Sequence, residues 1–130
     1  MLMARLMRPC SYINCARLIL GLSVAVSFAH ALAQTNSQKG RALFIDERKG
    51  NCVACHKTPT DASLKSASSI GPALESMKQK YPAPADRIRL RNVISDSSKI
   101  NPATTMPPYG THRILTEVEI DAIVAYLETL

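Results

Sequence analysis

Two cysteines and a histidine fall within five consecutive residues, Cys52-Val53-Ala54-Cys55-His56. Two thiols three positions apart can each add across one vinyl group of a haem and form two thioether bonds. The histidine that follows the second thiol then faces the iron and supplies a proximal nitrogen ligand. The spacing therefore predicts one covalently attached haem c, held by Cys52 and Cys55, with His56 as an axial iron ligand.

Three other chemistries also use closely spaced thiols. A redox-active dithiol is typical of a strand–helix–strand context, and no such pattern surrounds these residues. A zinc site needs four ligands, but beyond His56 the chain has no further Cys and only one further His, His112. A structural disulfide between Cys52 and Cys55 is the third alternative. The five-residue pattern favours haem over all three.

The sixth iron ligand has three candidates. Methionine sulfur is a neutral, soft donor that favours ferrous iron and raises the reduction potential. Met106 lies in residues 101–110, where three prolines exclude helix and central strand and predict a rigid, extended loop. We therefore predict Met106 as the second axial ligand. Met77, in a helical stretch where core filling is the usual role, and His112, on a loop, are left as alternatives together with an open position.

Pro72 is a candidate for orienting the proximal histidine. The second ring nitrogen of a ligating histidine usually donates to a carbonyl or carboxylate, which fixes the ring. The Pro72 carbonyl, in the segment Ile70-Gly71-Pro72, is predicted to accept this hydrogen bond from His56. A plain turn is the alternative interpretation of the same segment.

The first 33 residues are predicted to be a cleaved export signal. Residues 18–29 form an apolar run of 12 residues, and Ala31-Leu32-Ala33 matches a small-x-small cleavage site. Three basic residues, Arg5, Arg8 and Arg17, precede this run. An uncleaved membrane anchor is the alternative. The predicted mature domain, residues 34–130, is placed in the periplasm without stable membrane insertion, which agrees with haem attachment on the oxidising side of the inner membrane.

Composition argues against a nucleic-acid-binding protein. The predicted signal carries three of the positive charges, so the formal charge of +6 falls to +3 for residues 34–130. The basic residues are scattered and the chain has no Trp, whereas nucleic-acid-binding domains concentrate basic residues on one face. A modest basic rim can still orient an acidic partner. A mature chain of 97 residues makes one small domain, in which a haem would serve as the centre of the core.

The elements that must position these residues are predicted to be helices. Gly40, in the first helix, indicates either a close helix crossing or a tolerated surface glycine. Thr116 and Glu119 form a capping box at the start of the last helix, whose apolar face is the clearest in the chain. No stretch alternates as a strand, so the predicted fold class is all-α with long loops. The earlier helices are predicted over residues 37–49, with Ser37 as a possible cap, 75–81 and 86–95.

In its haem motif, its predicted ligands and its predicted helices, the chain resembles class I cytochromes c. The resemblance implies that the first and last helices cross near one haem edge, with Gly40 permitting close approach. It also implies the ligand role given above to Met106 and the carbonyl role given to Pro72. The matching elements are Gly40 and Phe44, the Cys52–His56 motif, Gly71-Pro72, Met106-Pro107 and a last helix containing Tyr126.

A narrower resemblance covers nearly all of residues 34–130. The chain is similar to SoxX, the monohaem cytochrome subunit of the periplasmic Sox sulfur-oxidising system. Its most specific part is the block Asn-Pro-x-x-x-Met-Pro-Pro-Tyr-Gly at residues 101–110, followed by Ile-Leu-Thr at 114–116. The Ser-rich stretch before Ile70 adds no support.

The SoxX resemblance implies a heterodimer with a SoxA-like c-type cytochrome. Such a complex couples thiosulfate oxidatively to a cysteine of a sulfur-carrier protein and releases two electrons, an L-cysteine S-thiosulfotransferase type of reaction. The resemblance also implies that the sulfur chemistry occurs at a cysteine-ligated haem of the partner. This chain offers no such site, because haem attachment consumes both cysteines of the predicted mature chain. No catalytic residue is therefore predicted in this chain, whose haem would pass electrons to a downstream cytochrome.

Two other functional classes are left open. The first is a free-standing soluble electron carrier that serves a terminal oxidase. The apolar character expected for the surface of residues 101–110 favours a lasting interface over this transient role. The second is peroxidase-like chemistry at an open iron, which requires Met106 to be absent from the iron.

Overall fold

The computed structural model describes residues 35–65 and 68–130, and the predicted signal with its cleavage site lies outside them. Within these ranges the chain forms helices and loops without a strand, so the all-α prediction is confirmed. No helix in the described part is long and apolar enough to cross a bilayer. The elements are α1 (residues 35–45), a 3₁₀ turn (Cys52–Ala54), α2 (Met77–Lys80), α3 (Pro84–Asp96), a second 3₁₀ turn (Ser97–Lys99) and α4 (Glu117–Leu127).

Helix α1 ends at residue 45, earlier than the predicted end at residue 49. The Asp46 side chain accepts from the Arg48 backbone N–H at 2.9 Å, and the Asp46 carbonyl accepts from Lys49 N at 3.0 Å. Such an aspartate turn offers the backbone an alternative to helical hydrogen bonds. Ser37 lies inside the helix and does not cap it. The early end directs the chain into the segment that carries Cys52.

Helices α1 and α4 cross at Gly40. A Cβ atom on this buried glycine would overlap the backbone carbonyl of Ala122 in α4, so the close-crossing interpretation of Gly40 is confirmed. One turn further along α1, the ring of Phe44 meets that of Tyr126 edge-on, with centroids 5.2 Å apart. Edge-to-face pairs of this kind add to the burial of the two rings. The first and last helices thus pack directly at the backbone.

Helix α4 begins with the predicted capping box. The Thr116 hydroxyl accepts from the Glu119 backbone N–H at 3.3 Å, and the Glu119 carboxylate accepts from Thr116 N at 2.8 Å.

Ion pairs and an apolar core hold α4 against α3. Arg91 of α3 pairs with Glu117 at 2.6 Å and with Asp121. Exposed ion pairs contribute little to the free energy of folding, so burial of the apolar core must provide most of the stabilisation. Its buried members are Phe44, Met77, Leu90, Ile94, Leu115, Ile120, Ile123, Val124, Tyr126, Leu127 and Leu130.

The loop after residue 56 is fastened to this helix pair through Asp61. The Asp61 carboxylate accepts from Arg41 Nε at 2.7 Å and from the Tyr126 hydroxyl at 2.9 Å. The hydrogen bond from the Arg41 guanidinium holds the pKa of Asp61 well below its usual range, while burial and this carboxylate raise the pKa of Tyr126. The loop that leads from the Cys-His motif toward Pro72 is therefore anchored on α1 and α4.

Candidate haem site

A cavity of about 500 Å³ is lined by residues of the Cys52–His56 motif, of the segment 70–74 and of the Pro-rich loop, residues 101–110. All five site residues predicted from the sequence line it, namely Cys52, Cys55, His56, Pro72 and Met106. Much of the remaining lining is apolar, as a haem macrocycle requires. These apolar residues include Phe44, Leu74, Met77, Leu90, Val93, Ile94, Leu115, Ile123 and Leu127. The sequence-predicted residues, which are up to 54 positions apart, thus meet around one cavity.

The two cysteines lie on a single tight turn. Cys52–Ala54 form one 3₁₀ turn after Asn51, which adopts a left-handed conformation with φ of 44°. The Cys52 carbonyl accepts from Cys55 N at 3.1 Å and from His56 N at 2.8 Å, which winds both cysteines and the histidine into one compact unit. The motif therefore has local hydrogen bonds of its own and needs little help from distant residues to keep its shape.

The cysteine chemistry of the turn does not resemble that of a redox dithiol. Cys52 and Cys55 are not joined to one another in a disulfide. Burial raises the pKa of the Cys52 thiol to about 12, whereas reactive cysteines have a lowered pKa that favours the thiolate. In residues 35–65 and 68–130 no group of three or more His, Cys, Asp or Glu is arranged around a bare metal ion.

The His56 ring is oriented by the backbone of the following loop. Its Nδ1 atom lies 2.8 Å from the Pro72 carbonyl oxygen, which can only accept a hydrogen bond. Nδ1 must then carry the proton, which leaves the Nε2 lone pair for a metal. This is the carbonyl-to-histidine contact that metal-ligating imidazoles commonly use to fix their orientation.

Gly71 permits the loop to pass directly against the imidazole. A Cβ atom there would lie 2.7 Å from His56 Nδ1 and 2.9 Å from Nε2, closer than real Cβ atoms approach other atoms. The Gly71 N–H also donates to the Cys55 carbonyl at 2.9 Å. From the sequence, Gly71 was named only within the Ile70-Gly71-Pro72 segment and in the match to class I cytochromes c, with no role of its own. Its position immediately before Pro72, whose carbonyl was predicted to bond His56, was the available signal.

Met106 is held by side chains at both of its backbone groups. The Ser97 hydroxyl donates to the Met106 carbonyl at 3.1 Å, and the Thr104 hydroxyl accepts from the Met106 N–H at 3.1 Å. After the two prolines, Gly110 N donates to the Ser95 carbonyl at 3.0 Å, and a Cβ on Gly110 would overlap the Ser95 hydroxyl. The Pro-rich loop is thus fastened to the C-terminal end of α3 at several points.

Tyr109 is a further cavity residue that sequence reasoning did not single out. Its ring lines the cavity, and its hydroxyl donates to the Gly50 carbonyl at 2.7 Å. Burial raises the pKa of Tyr109 to about 12, which keeps the hydroxyl protonated and able to donate at neutral pH. The available signal was an aromatic residue in a loop otherwise made of prolines and small residues.

The two alternative iron ligands differ in their placement. Met77 is 5% exposed and lines the same cavity, while its backbone N–H donates to the Leu130 carbonyl at 2.9 Å. His112 is exposed and is not among the residues that line the cavity. Met106 and Met77 are therefore the two thioethers that the structure brings to the site.

An all-α domain around an apolar cavity with this cysteine–histidine turn has the features of a c-type haem protein. The family described as "Cytochrome c" matches residues 37–130. The chain therefore belongs to the cytochrome c family; its cofactor is a covalently bound haem c, and its role is electron transfer.

One curated protein is similar over part of the chain. It is an uncharacterized lipoprotein of Aquifex aeolicus (strain VF5), 36% identical over 80 residues, which cover 62% of this chain and 36% of that protein. The matched stretch thus spans little more than a third of the relative's own length.

Proposed function

We propose that the protein is the electron-accepting subunit of a periplasmic SoxAX-like complex that couples thiosulfate to a carrier-protein cysteine. The observation that carries this proposal is the position of the SoxX-like block, residues 101–110, most of which lines the same cavity as the Cys52–His56 motif. The sequence that best distinguishes SoxX from other monohaem cytochromes is therefore also the sequence that supplies Met106 to the haem site.

In this proposal Cys52 and Cys55 hold the haem, and His56 and Met106 are its axial ligands. The bound haem supplies one-electron redox chemistry. The chain itself tunes that chemistry through two groups. The Pro72 carbonyl fixes the His56 imidazole, and the neutral thioether of Met106 favours the reduced iron and so raises the potential. A raised potential suits a subunit that receives electrons from its partner.

Two exposed isoleucines at the cavity support the proposal that a partner protein binds there in a stable complex. Ile70, beside the His56 loop, is 70% exposed, and Ile100, at the start of the Pro-rich loop, is 54% exposed; both line the cavity. Large apolar side chains exposed at one place mark interaction sites, and obligate interfaces are more apolar than transient ones. We propose that a SoxA-like cytochrome covers this rim, which favours the complex subunit over a free-standing carrier.

The sulfur chemistry of the proposed complex is assigned to the partner. Within residues 34–130 the only cysteines are Cys52 and Cys55, both used for haem attachment in this proposal. This chain would then pass electrons from the SoxA-like subunit to a downstream cytochrome. An exported location agrees with the predicted signal and with the matched relative, which is named a lipoprotein.

The test is reduction of the holoprotein haem by thiosulfate and a carrier protein, with and without a SoxA-like partner. Reduction that requires the partner is the expected result. Partner-independent reduction, with no stable partner recovered, would instead establish a free-standing electron carrier. Ile70→Ser and Ile100→Ser are expected to weaken partner binding. Val118→Ser is the matched control, because Val118 is 63% exposed on α4 and does not line the cavity.

A further inference from the structure

The Pro-rich loop is fastened to the segment that leads into the Cys52–His56 motif, as well as to α3. The hydroxyl of Tyr109 donates to the carbonyl of Gly50 at 2.7 Å, across 59 positions of sequence. Gly50 lies two residues before Cys52, so this bond joins the loop that carries Met106 to the segment that carries the cysteines. The other hydrogen bonds described above for this loop run to the end of α3 or within the loop.

The Gly50 carbonyl is a fixed anchor. Its residue is buried, and its N–H donates to the Leu43 carbonyl of α1 at 3.2 Å. A Cβ atom on Gly50 would lie 2.7 Å from the Leu43 carbonyl oxygen and 3.0 Å from Cys52 Sγ. The backbone at Gly50 is therefore packed between the end of α1 and the first cysteine. If Tyr109 moved away, the Gly50 carbonyl could not move with it, and the hydrogen bond would break.

The connection from Tyr109 to Met106 is stiff. Pro107 and Pro108 separate the two residues, and proline rings fix φ. The Tyr109 carbonyl also accepts from Ile114 N at 2.9 Å and from Leu115 N at 3.0 Å. A loop held this way at Tyr109 leaves the Met106 side chain little freedom to swing out of the cavity.

We infer that Tyr109 is a positioning residue whose hydroxyl latches the Met106 loop to Gly50 and thereby controls how readily an external ligand displaces Met106 from the iron. This inference rests on the proposed Met106 ligation. Displacement of the thioether requires the loop to move outward, and the latch must break for that movement. Removing the hydroxyl should therefore favour displacement by about fivefold, the factor that one hydrogen bond of typical net strength provides.

The experiment is an imidazole titration of the ferric holoprotein, followed by loss of the sulfur-to-iron absorption band. Tyr109→Phe should keep the band without imidazole and bind imidazole about fivefold more tightly than the wild type. Tyr81→Phe is the matched control, because Tyr81 lines the same cavity and its hydroxyl has no hydrogen-bond partner among the described residues. Its affinity should match that of the wild type.

The outcomes separate the latch from the ligand assignment. A wild-type band with equal imidazole affinity in Tyr109→Phe overturns the latch and leaves Met106 ligation standing. A wild-type protein without the band overturns Met106 ligation, and the latch with it. An equal gain in affinity for Tyr109→Phe and Tyr81→Phe also overturns the latch, since the effect would then come from losing any cavity hydroxyl.

A second variant tests the latch if Tyr109→Phe does not yield holoprotein with attached haem. Site-specific incorporation of 3-fluorotyrosine at position 109 keeps the ring and makes the hydroxyl a stronger donor. The latch then predicts weaker imidazole binding than in the wild type at a pH where the hydroxyl is protonated. Equal or tighter binding would overturn the inference.

Discussion

The two walls of the haem cavity are built by different means. The attachment wall, residues 50–65 and 68–72, combines the compact cysteine turn, whose histidine is oriented by one carbonyl, with a loop that Asp61 fastens to α1 and α4. The methionine wall, residues 97–111, has no regular structure after its first 3₁₀ turn and is held by separate side-chain hydrogen bonds. In the proposed holoprotein the first wall is covalent and the second is not. Removing a thiol from the first wall should therefore have a larger effect than any single change to the second.

The largest effect is expected from removing a thiol of the attachment wall. Cys55→Ala leaves at most one thioether bond, and because the haem is the centre of a small core, most of the holoprotein should be lost. The measurement is the yield of covalently attached haem after expression with a c-type maturation system. Normal attachment in this variant would contradict the assignment of the cysteine turn.

Removing the proposed iron ligand of the methionine wall should leave the haem attached. Met106→Ala is expected to abolish the sulfur-to-iron band and to lower the reduction potential by on the order of 0.1 V, part of the ~0.8 V range that axial ligands span. The measurements are the ferric absorption spectrum and a redox titration. Met77→Leu is the matched control, because it changes the other cavity thioether and keeps its volume. A band lost in Met77→Leu and kept in Met106→Ala would reverse the assignment.

The difference between the walls also explains what the sequence could predict. The cysteine turn and the capping box of Thr116 and Glu119 are local, so their spacing alone indicated both. Gly40 was recognised as a crossing candidate because a glycine inside a helical pattern is conspicuous.

The remaining contacts depend on residues far apart in the chain. The hydrogen bond between Tyr109 and Gly50 joins two loops, and Arg41 and Tyr126 join the Asp61 loop to two helices. No periodic pattern in the sequence predicts either set of contacts. The early end of α1 was missed for a related reason. A side-chain turn at Asp46 overrides a helical pattern that continues in the sequence.

A smaller effect on the attachment wall tests how tightly its parts fit. Gly71→Ala places a methyl group against the His56 ring, so the ring or the loop must shift and the bond to Pro72 should weaken. Overpacking of this kind costs about 1–3 kcal/mol in the free energy of unfolding. Denaturant unfolding of the holoprotein measures it. Ala73→Gly is the control for changing a residue of the same loop, because Ala73 is exposed. Equal free energies of unfolding for Gly71→Ala and the wild type would mean that the loop moves away from the His56 ring without a measurable cost.

The smallest effect concerns acid pH and the methionine wall. The Asp96 carboxylate accepts from Ser98 N at 3.2 Å and from the Thr111 hydroxyl at 3.1 Å, so it ties the two ends of this wall together. The hydrogen bond from the Ser98 hydroxyl is the largest of the causes that hold the pKa of Asp96 below its usual value. A lowered folded pKa means that the stabilisation is fully present above the unfolded pKa of about 3.9 and is lost as pH falls through the folded pKa.

Acid should therefore loosen the methionine wall through Asp96, and Asp96→Asn should remove part of that dependence. The asparagine oxygen can still accept from Ser98 and Thr111 but carries no charge at any pH. Loss of the sulfur-to-iron absorption band of the ferric holoprotein, followed from pH 6 to about 3, should be less steep for Asp96→Asn than for the wild type. Asp121→Asn is the matched control, because Asp121 pairs with Arg91 between α3 and α4, away from the loop. If Asp96→Asn and the wild type gave parallel profiles, the acid sensitivity of this wall would have to come from groups other than Asp96.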